Sequence, residues 1–363
     1  MEDITRYRDT IDKIDDQMAG LFEERMNVCR KIAEYKKEHG LSVWDEKREQ
    51  DILQRNTKSI KSPELEEYYV NFMKDTLTIS SRYQERLMAG MKVAYSGVEG
   101  AFAYIAAKAM FPEASLICKS SFSAAYNSVE NGECDCVVLP LENSYAGEVS
   151  TVMDLTFSGG LFVNQVMDLP IKHNLLGIHG SHREDIRKVI SHPMALSQCS
   201  EYISSHGFEI KNSGNTATAS QKVMELNDVS VAAIASKETA GIMGLDVLDE
   251  NIQDSGLNTT RFAAFSRYSN RRSTGGDDEN FILVFTVKNE AGALAQTLNI
   301  MGAHGYNMRS LRSRPMRELM WNYYFFVEAE GNINTQNGKD MLQELSAICG
   351  GLKLVGSYRT FSA

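Results

Sequence analysis

Long apolar runs are missing from this chain, and so is any excess of positive charge. Although 43% of the 363 residues are apolar, no stretch approaches the roughly 20 consecutive apolar residues that a bilayer span needs, so no membrane segment is predicted. The opening MEDITRYRDT lacks the basic stretch and apolar core of a secretory leader, and a cytoplasmic protein starting at Met1 is expected. Lys and Arg number 38 against 48 Asp and Glu, a net charge of -10. That balance argues against a nucleic-acid footprint, and an anionic small substrate is compatible with it only where cations are concentrated locally. Cysteines are few: Cys29, Cys118, Cys134, Cys136, Cys199 and Cys349 are dispersed over the whole length, which predicts buried thiols rather than disulfides. Cys134 and Cys136 form a C-x-C pair with no second pair or His at zinc spacing, so core packing is expected there and no metal.

What is present divides into three parts. From Ile4 to Tyr35, apolar residues recur every three or four positions (Ile4, Tyr7, Ile11, Ile14, Met18, Leu21, Val28, Ile32, Tyr35), the pattern of a helix seam. Such a helix would run about 50 Å, too long for its own small domain to cover, so a second copy of the chain is expected against it. A second helix is predicted near Asp45, and Ser62-Pro63 reads as the start of a third. The all-helical unit is placed at residues 1–90. From Met91 short apolar runs alternate with helical stretches, the rhythm of an α/β domain, placed at 91–268. The polar, Gly-containing segment SNRRSTGGDDEN marks a linker at 269–280. The remainder, 281–363, reads β-α-β-β-α-β, a ferredoxin-like unit.

In the helical unit Arg25 occupies a seam position, where a charge is desolvated and costly unless it meets an opposite one. Lys36 lies three turns further on, about 16 Å away and within about 20° of the same direction, so the two can bracket one small dianion. Arg8 is roughly 25 Å back along the helix and rotated by about 100°; if it binds the same ligand, it does so in a pocket of another subunit. Asp45, Arg48 and Glu49 share one helical face, and Ser80 and Gln84 another, spacings that also suit ordinary surface contacts.

The run YRDTIDKIDDQM, EERMNVCRKIAEYKKEHG, VWDEKREQ and ISSRYQ resembles the all-helical chorismate mutase family over residues 5–87. The resemblance implies an intertwined homodimer with composite sites. Arg8 of one subunit and Arg25 of the other would hold the two carboxylates of chorismate, Lys36 and Gln84 the ether oxygen, and Glu49 the ring hydroxyl. Asp45 and Arg48 would support Glu49, with Ser80 nearby. A Claisen rearrangement needs no nucleophile, base, metal or cofactor; it needs a folded reactant and cations aimed at the breaking C–O bond.

In the α/β unit four polar or Gly-containing segments sit at the edges of apolar runs: AYSGVEGAFAYIAA, VVLPLENSYAGEV, SHPMALSQCSEYI, and NTATASQ followed later by NTTRFAAF. In this order they resemble prephenate dehydratase, with NTTRF the most specific. The resemblance implies two α/β lobes, one from about 92–171 plus 248–268 and the other from 172–247, closing on prephenate. Thr260 would contact the leaving hydroxyl, Arg261 would be the nearby cation, and Glu142, Asn143, Ser144, Thr216 and Phe262 would line the cleft. Val98, Ala101 and Ala103 depart from the family pattern. No histidine shows a partner spacing, so capping or packing is expected of His173 and His192.

The last unit resembles the ACT domain, through NEAGAL (Gly292, Ala293, Leu294) and RSRP (Arg312, Ser313, Arg314, Pro315). Phenylalanine is the effector this implies, bound where a helix N-terminus offers free N–H groups. Arg312 stands where the family carries Glu; a dimerisation module without a ligand is the alternative. Together the three units resemble the bifunctional enzymes that make phenylpyruvate from chorismate. Two other readings remain at this level, a non-catalytic aromatic-acid sensor and an enzyme for arogenate.

Overall fold

A computed structural model of the protein describes residues 2–269, 280–316 and 323–362. The linker predicted at 269–280 falls, apart from its two end residues, outside the described residues. The chain forms two compact units, 1–91 and 92–363.

The first unit is three helices. α1 (Glu2–Glu38) is 37 residues long, about 55 Å. α2 (Glu46–Thr57) follows and, after a 3₁₀ turn at Pro63–Leu65, α3 (Glu66–Ala89), which packs against both α1 and α2. Asp45 caps α2 through Arg48 N at 3.0 Å. Ser62 makes no side-chain cap, and the proline opens the 3₁₀ turn rather than α3. Among the described side chains of α1, only Cys29 and Ala33 are buried, whereas Ile4, Tyr7, Ile11, Ile14, Met18 and Leu21 are exposed. The predicted seam is therefore present and uncovered within one chain.

The second unit begins as an α/β fold: β1 (Lys92–Ser96), α4 (Phe102–Met110), β2 (Ser115–Lys119), α5 (Phe122–Glu130), β3 (Cys136–Asn143), β4 (Gly147–Glu148), α6 (Ser150–Ser158) and β5 (Phe162–Pro170). The chain then crosses to a second lobe, β6 (Asn174–Gly177), β7 (Lys188–Ser191), α7 (Pro193–Ser197), α8 (Ser200–His206), β8 (Glu209–Asn212), α9 (Thr216–Leu226), β9 (Val231–Ala235), α10 (Lys237–Met243) and β10 (Asp246–Asp249), and returns as β11 (Thr259–Ser266). The second lobe's sheet runs β10-β6-β9-β7-β8.

The C-terminal portion follows the predicted order: β12 (Asn280–Thr286), α11 (Ala293–Ala303), β13 (Asn307–Pro315), β14 (Tyr323–Glu330), α12 (Gln336–Ile348) and β15 (Gly350–Tyr358). Its sheet is β13-β14-β12-β15. An extra strand that the sequence pattern did not suggest, β16 (Thr360–Ser362), pairs in parallel with β5. It becomes the edge of the first lobe's sheet, β16-β5-β11-β3-β1-β2.

Strand alternation explains why this portion is not an independent body. On β12, Phe281, Leu283 and Phe285 face α11 and α12 in one core. Ile282 and Val284, with Tyr324, Phe326, Val355 and Tyr358, face the other way and share a core with Met153, Val163, Val166 and Phe265 of the α/β part. β15 approaches β5 so closely that a Cβ on Gly356 would meet the backbone carbonyl of Val163. Gly356→Ala is therefore expected to destabilise the 92–363 unit by about 1–3 kcal/mol, the usual range for overpacking. Denaturant unfolding should show an earlier transition for this unit and an unchanged one for the helical unit.

Candidate functional sites

In the helical unit one cavity of about 610 Å³ brings together Arg25, Lys36, Asp45, Arg48, Glu49, Ser80 and Gln84 with an apolar floor that includes Val28, Ile32, Met73 and Leu77. These are the residues the sequence pointed to, Arg8 excepted; it is exposed on α1 and does not line this cavity. Among the described residues, Arg25 does not meet an acid. Its guanidinium donates to Ser80 Oγ and contacts Cys29 Sγ at 3.9 Å, and the Ser80 hydroxyl in turn donates to Thr76 O at 2.6 Å. A half-buried cation whose hydrogen-bond partners are neutral retains its charge for an anion in the cavity. Lys36 Nζ is held by Val43 O at 2.6 Å, and Glu49 by the indole N–H of Trp44 at 3.3 Å. Trp44 is a support that the sequence reading missed, and its place just before the α2 cap was the available clue. Asp45 serves mainly as a helix cap. Gln84 is buried, its Nε2 reaching only Ser80 O at 3.4 Å and its Oε1 having no partner. A buried amide oxygen without a partner is costly, and since amide orientation is interchangeable by a flip, this group can offer either a donor or an acceptor to a ligand.

The second cavity, about 510 Å³, lies between the two α/β lobes and is lined by Asn143, Thr216, Thr260 and Phe262 among others. Thr260 on β11 pairs in register with Asn143 on β3. Asn143 Nδ2 donates to Thr260 Oγ1 at 2.8 Å and to Asn258 Oδ1 at 2.8 Å, while its Oδ1 accepts from Tyr145 N and Ala146 N at 3.0 and 2.8 Å. The asparagine is thereby fixed at both ends. With a lone pair of Thr260 Oγ1 engaged, the hydroxyl proton is free to donate elsewhere.

Three expected cleft residues are corrected here. Arg261 and Glu142 pair with each other in the β11–β3 register, one step along from Thr260 and Asn143, so both point to the opposite face of the sheet. Arg261 grips Glu328 of β14 through two bonds of 2.7 Å and approaches Asp168 at 3.4 Å. Burial opposes its charge, but the hydrogen bonds and charge of Glu328 prevail and raise its pKa, while Arg261 depresses that of Glu328 despite burial. Glu142 accepts from Arg312 at 2.5 Å. Ser144 likewise does not line the cleft; its hydroxyl bridges Leu257 O and Thr259 N at 3.0 Å each.

No Lys, Arg, Asp or Glu lines this cleft among the described residues. What it has instead are the N-terminal ends of helices, which can favour an anion. Ser121 and Asn215 cap α5 and α9 with their own side chains. At α4 the N-cap is Ala101, which supplies no side-chain cap, and Ala101, Phe102 and Ala103 of this helix end line the cleft. The departure from the family pattern at these alanines thus exposes a helix end.

His192 caps α7 through Met194 N at 3.2 Å. His173 is 1% exposed, bonded through Nε2 to Gln198 Oε1 at 2.8 Å and packed edge-on against Phe102. Burial lowers the pKa of both, so the folded state holds them neutral.

The third cavity, about 440 Å³, is lined by Lys288, Glu290, Gly292, Ala293 and Gln296 of the α11 end and by Ala347 and Ile348. Gly292 sits there at φ +86° as the N-cap of α11, a conformation that favours glycine. Leu294 packs into the core instead. Ser313, Arg314 and Pro315 lie on β13, away from this cavity, and Arg314 is committed to Asp154 at 3.1 Å and to Ser150 Oγ at 2.9 Å; its expected role towards an effector is corrected on that ground. Among the described residues no cluster of His, Cys, Asp or Glu could hold a metal ion, and no helix is long and apolar enough to cross a membrane.

Comparison with known proteins assigns three family models: chorismate mutase type II at residues 7–85, prephenate dehydratase at 93–270 and an ACT domain at 281–347. The chain is 30% identical to the bifunctional chorismate mutase/prephenate dehydratase of Aquifex aeolicus over 99% of its own length and 98% of that protein's. Among solved structures it resembles the prephenate dehydratase of Arthrobacter aurescens in complex with L-Phe (26% identity, TM-score 0.69, 74% of this chain and 90% of that one). It also resembles GqqA, described as a quorum-quenching acylase (29% identity, TM-score 0.69, 74% and 98%).

Buried His173 and, more weakly, the solvent-exposed His192 generate a pH prediction. Their folded pKa values lie below the ordinary 6.5, so below that pH the unfolded chain binds more protons and stability falls with pH. Denaturant titration of the 92–363 unit should show full stability above about pH 7 and a decline as pH falls through 6.5. The decline should be shallower in His173→Gln.

Proposed function

The chain belongs to the family of bifunctional chorismate mutase/prephenate dehydratases, and from that premise we propose how its residues divide two consecutive reactions. The mutase isomerises chorismate to prephenate in the helical unit; the dehydratase converts prephenate to phenylpyruvate between the two α/β lobes. A non-catalytic sensor is set aside by the family.

For the mutase, Arg25 and Lys36 are the cations that face the dianion and the oxygen of the breaking C–O bond, with Gln84 sharing the ether oxygen and Glu49 holding the ring hydroxyl. Arg48 and Ser80 complete the wall. Arg8 acts on the site of a second copy, and the exposed α1 seam supports that homodimer, since a surface of this size and apolarity is rarely left in water. Catalysis is electrostatic and conformational.

For the dehydratase, the observation that carries the reading is the Asn143–Thr260 hydrogen bond. With Asn143 holding its lone pair, the Thr260 hydroxyl donates to the departing ring hydroxyl as the carboxylate leaves as CO2 and its electron pair completes the aromatic ring. The open end of α4 and the first turn of α9, at Thr216, receive the carboxylates in place of side-chain cations. With no acidic side chain in the lining, the ammonium of arogenate would find no counter-charge, which supports prephenate as the substrate.

Phenylalanine is the proposed effector at the Gly292–Ala293 end of α11. Since Ser313 and Pro315 do not reach that cavity in one chain, a second copy would be needed to bring them to it. A cytoplasmic location belongs to the same reading.

Purified protein given chorismate alone, with a chelator present, should form prephenate and then phenylpyruvate, and phenylalanine should slow the second step. Accumulation of prephenate without phenylpyruvate would sink the dehydratase assignment. Thr260→Val should lower dehydratase kcat by roughly 10²- to 10³-fold, the usual loss for one transition-state donor, and leave the mutase rate untouched. Arg25→Ala should do the reverse.

A further inference from the structure

The two strands that carry Thr260 and Asn143 are held from behind by the C-terminal sheet. Thr260 is followed on β11 by Arg261, and Asn143 is preceded on β3 by Glu142; the four form two adjacent register pairs. Because successive residues of a strand face opposite sides, the first pair meets the cleft and the second meets β13 and β14. There Arg261 forms a two-bonded pair with Glu328, itself 3% exposed and bonded to Tyr358 Oη at 2.5 Å, and Arg312 bonds Glu142. The same sheet also grips the segment that leaves Asn143. Arg314 pairs with Glu148 at 3.4 Å and with Asp154 at 3.1 Å, while Lys353 donates to the carbonyls of Thr156 and Gly159 at the far end of α6. Asn143, Ala146 and Val149, on the stretch between these grips, line the cleft.

We propose that Arg261 and Glu142 are positioning residues of the dehydratase. Through Glu328 and Arg312 they hold β11 and β3 in the relation that aims the Thr260 hydroxyl, and so make the dehydration rate depend on the placement of the C-terminal sheet. The proposal rests on the reading of Thr260 and Asn143 as the reacting end of the cleft. The Arg261–Glu328 pair is a two-bonded guanidinium–carboxylate fork, a geometry that fixes direction as well as distance, while Arg312 makes one bond to Glu142 and approaches Glu148 at 3.7 Å. A lateral shift of one strand by a fraction of its pleat would carry the Thr260 oxygen off the leaving group, and a misplacement near 1 Å costs on the order of 10²-fold in rate. Arg312, which stands where the family carries Glu, has a specific partner here in Glu142.

The test uses the full chain and reads both activities. Glu328→Gln keeps the shape and removes the charge; Arg261→Lys keeps the charge and removes the fork. Each is expected to lower dehydratase kcat on the order of 10- to 100-fold, with KM for prephenate changed less than about twofold and the mutase rate intact. Arg312→Glu should behave likewise, and the exchange Glu142→Arg with Arg312→Glu should recover most of the lost kcat. A lower melting temperature with unchanged kcat in soluble, folded Glu328→Gln protein would overturn the proposal, since that is what a merely structural pair does. So would failure of the charge exchange to recover any rate while Arg312→Glu alone is impaired. Thr260→Val run in parallel separates the two levels: if it leaves dehydration intact, the cleft reading itself has failed; if it abolishes dehydration while the Glu328 and Arg261 variants are fully active, only the positioning proposal has.

Discussion

A β-strand can present consecutive side chains only to opposite faces, and the second unit depends on how β11 and β3 use that constraint. Thr260 and Phe262 of β11 take one face while Arg261 takes the other. The buried Arg261–Glu328 pair cannot be loosened cheaply: removing one partner of such a pair ordinarily costs about 3–5 kcal/mol, because the other charge is left in a dry site. Around it the C-terminal sheet finds a place for its second apolar face, with Ile282, Val284, Tyr324 and Phe326 joining the core of the first lobe. The ferredoxin-like portion is for this reason part of the dehydratase body.

On the proposed reading, the chain handles anions in two physically different ways. In the helical unit the charge is carried by side chains, Arg25 and Lys36, placed three turns apart on one helix and partnered by neutral groups. In the α/β unit it is carried by backbone, through the uncapped end of α4 and the capped first turn of α9. Side-chain cations suit a rearrangement in which charge grows on an ether oxygen between two cations. Helix ends suit a cleft where carbon dioxide and a hydroxyl must depart, because N–H groups fixed in a helix hold a carboxylate without long flexible side chains. The lowered histidine pKa values fit a lining without charged side chains among the described residues.

Much of this was legible beforehand. Periodicity distinguished the helical part from the α/β part, and helical direction put Arg25 and Lys36 on one face of α1, while the resemblance to chorismate mutases added Asp45, Arg48, Glu49, Ser80 and Gln84 to the group that shares the first cavity. The alternation of elements gave the ferredoxin-like order. What failed was the assignment of Arg261, Glu142 and Arg314 to ligand sites. A motif such as NTTRF says that its residues matter but not which way each faces; a bulge between Arg261 and Phe262 and the partner sheet settle that. β16 was missed because a three-residue strand at a chain end has no period of its own.

From the order of residues alone came whatever depends on neighbours within one element: where helices and strands run, which positions share a helical face, and that Asn143 and Thr260 occur in polar clusters at strand ends. Only the tertiary structure decided which distant segments meet. It joined Glu328 to Arg261 and Arg312 to Glu142, left the end of α4 uncapped towards the cleft, and turned the last strand back onto β5. The physical reason is that local conformation is governed by contacts a few residues apart, whereas the partner of a buried charge is set by the packing of whole sheets.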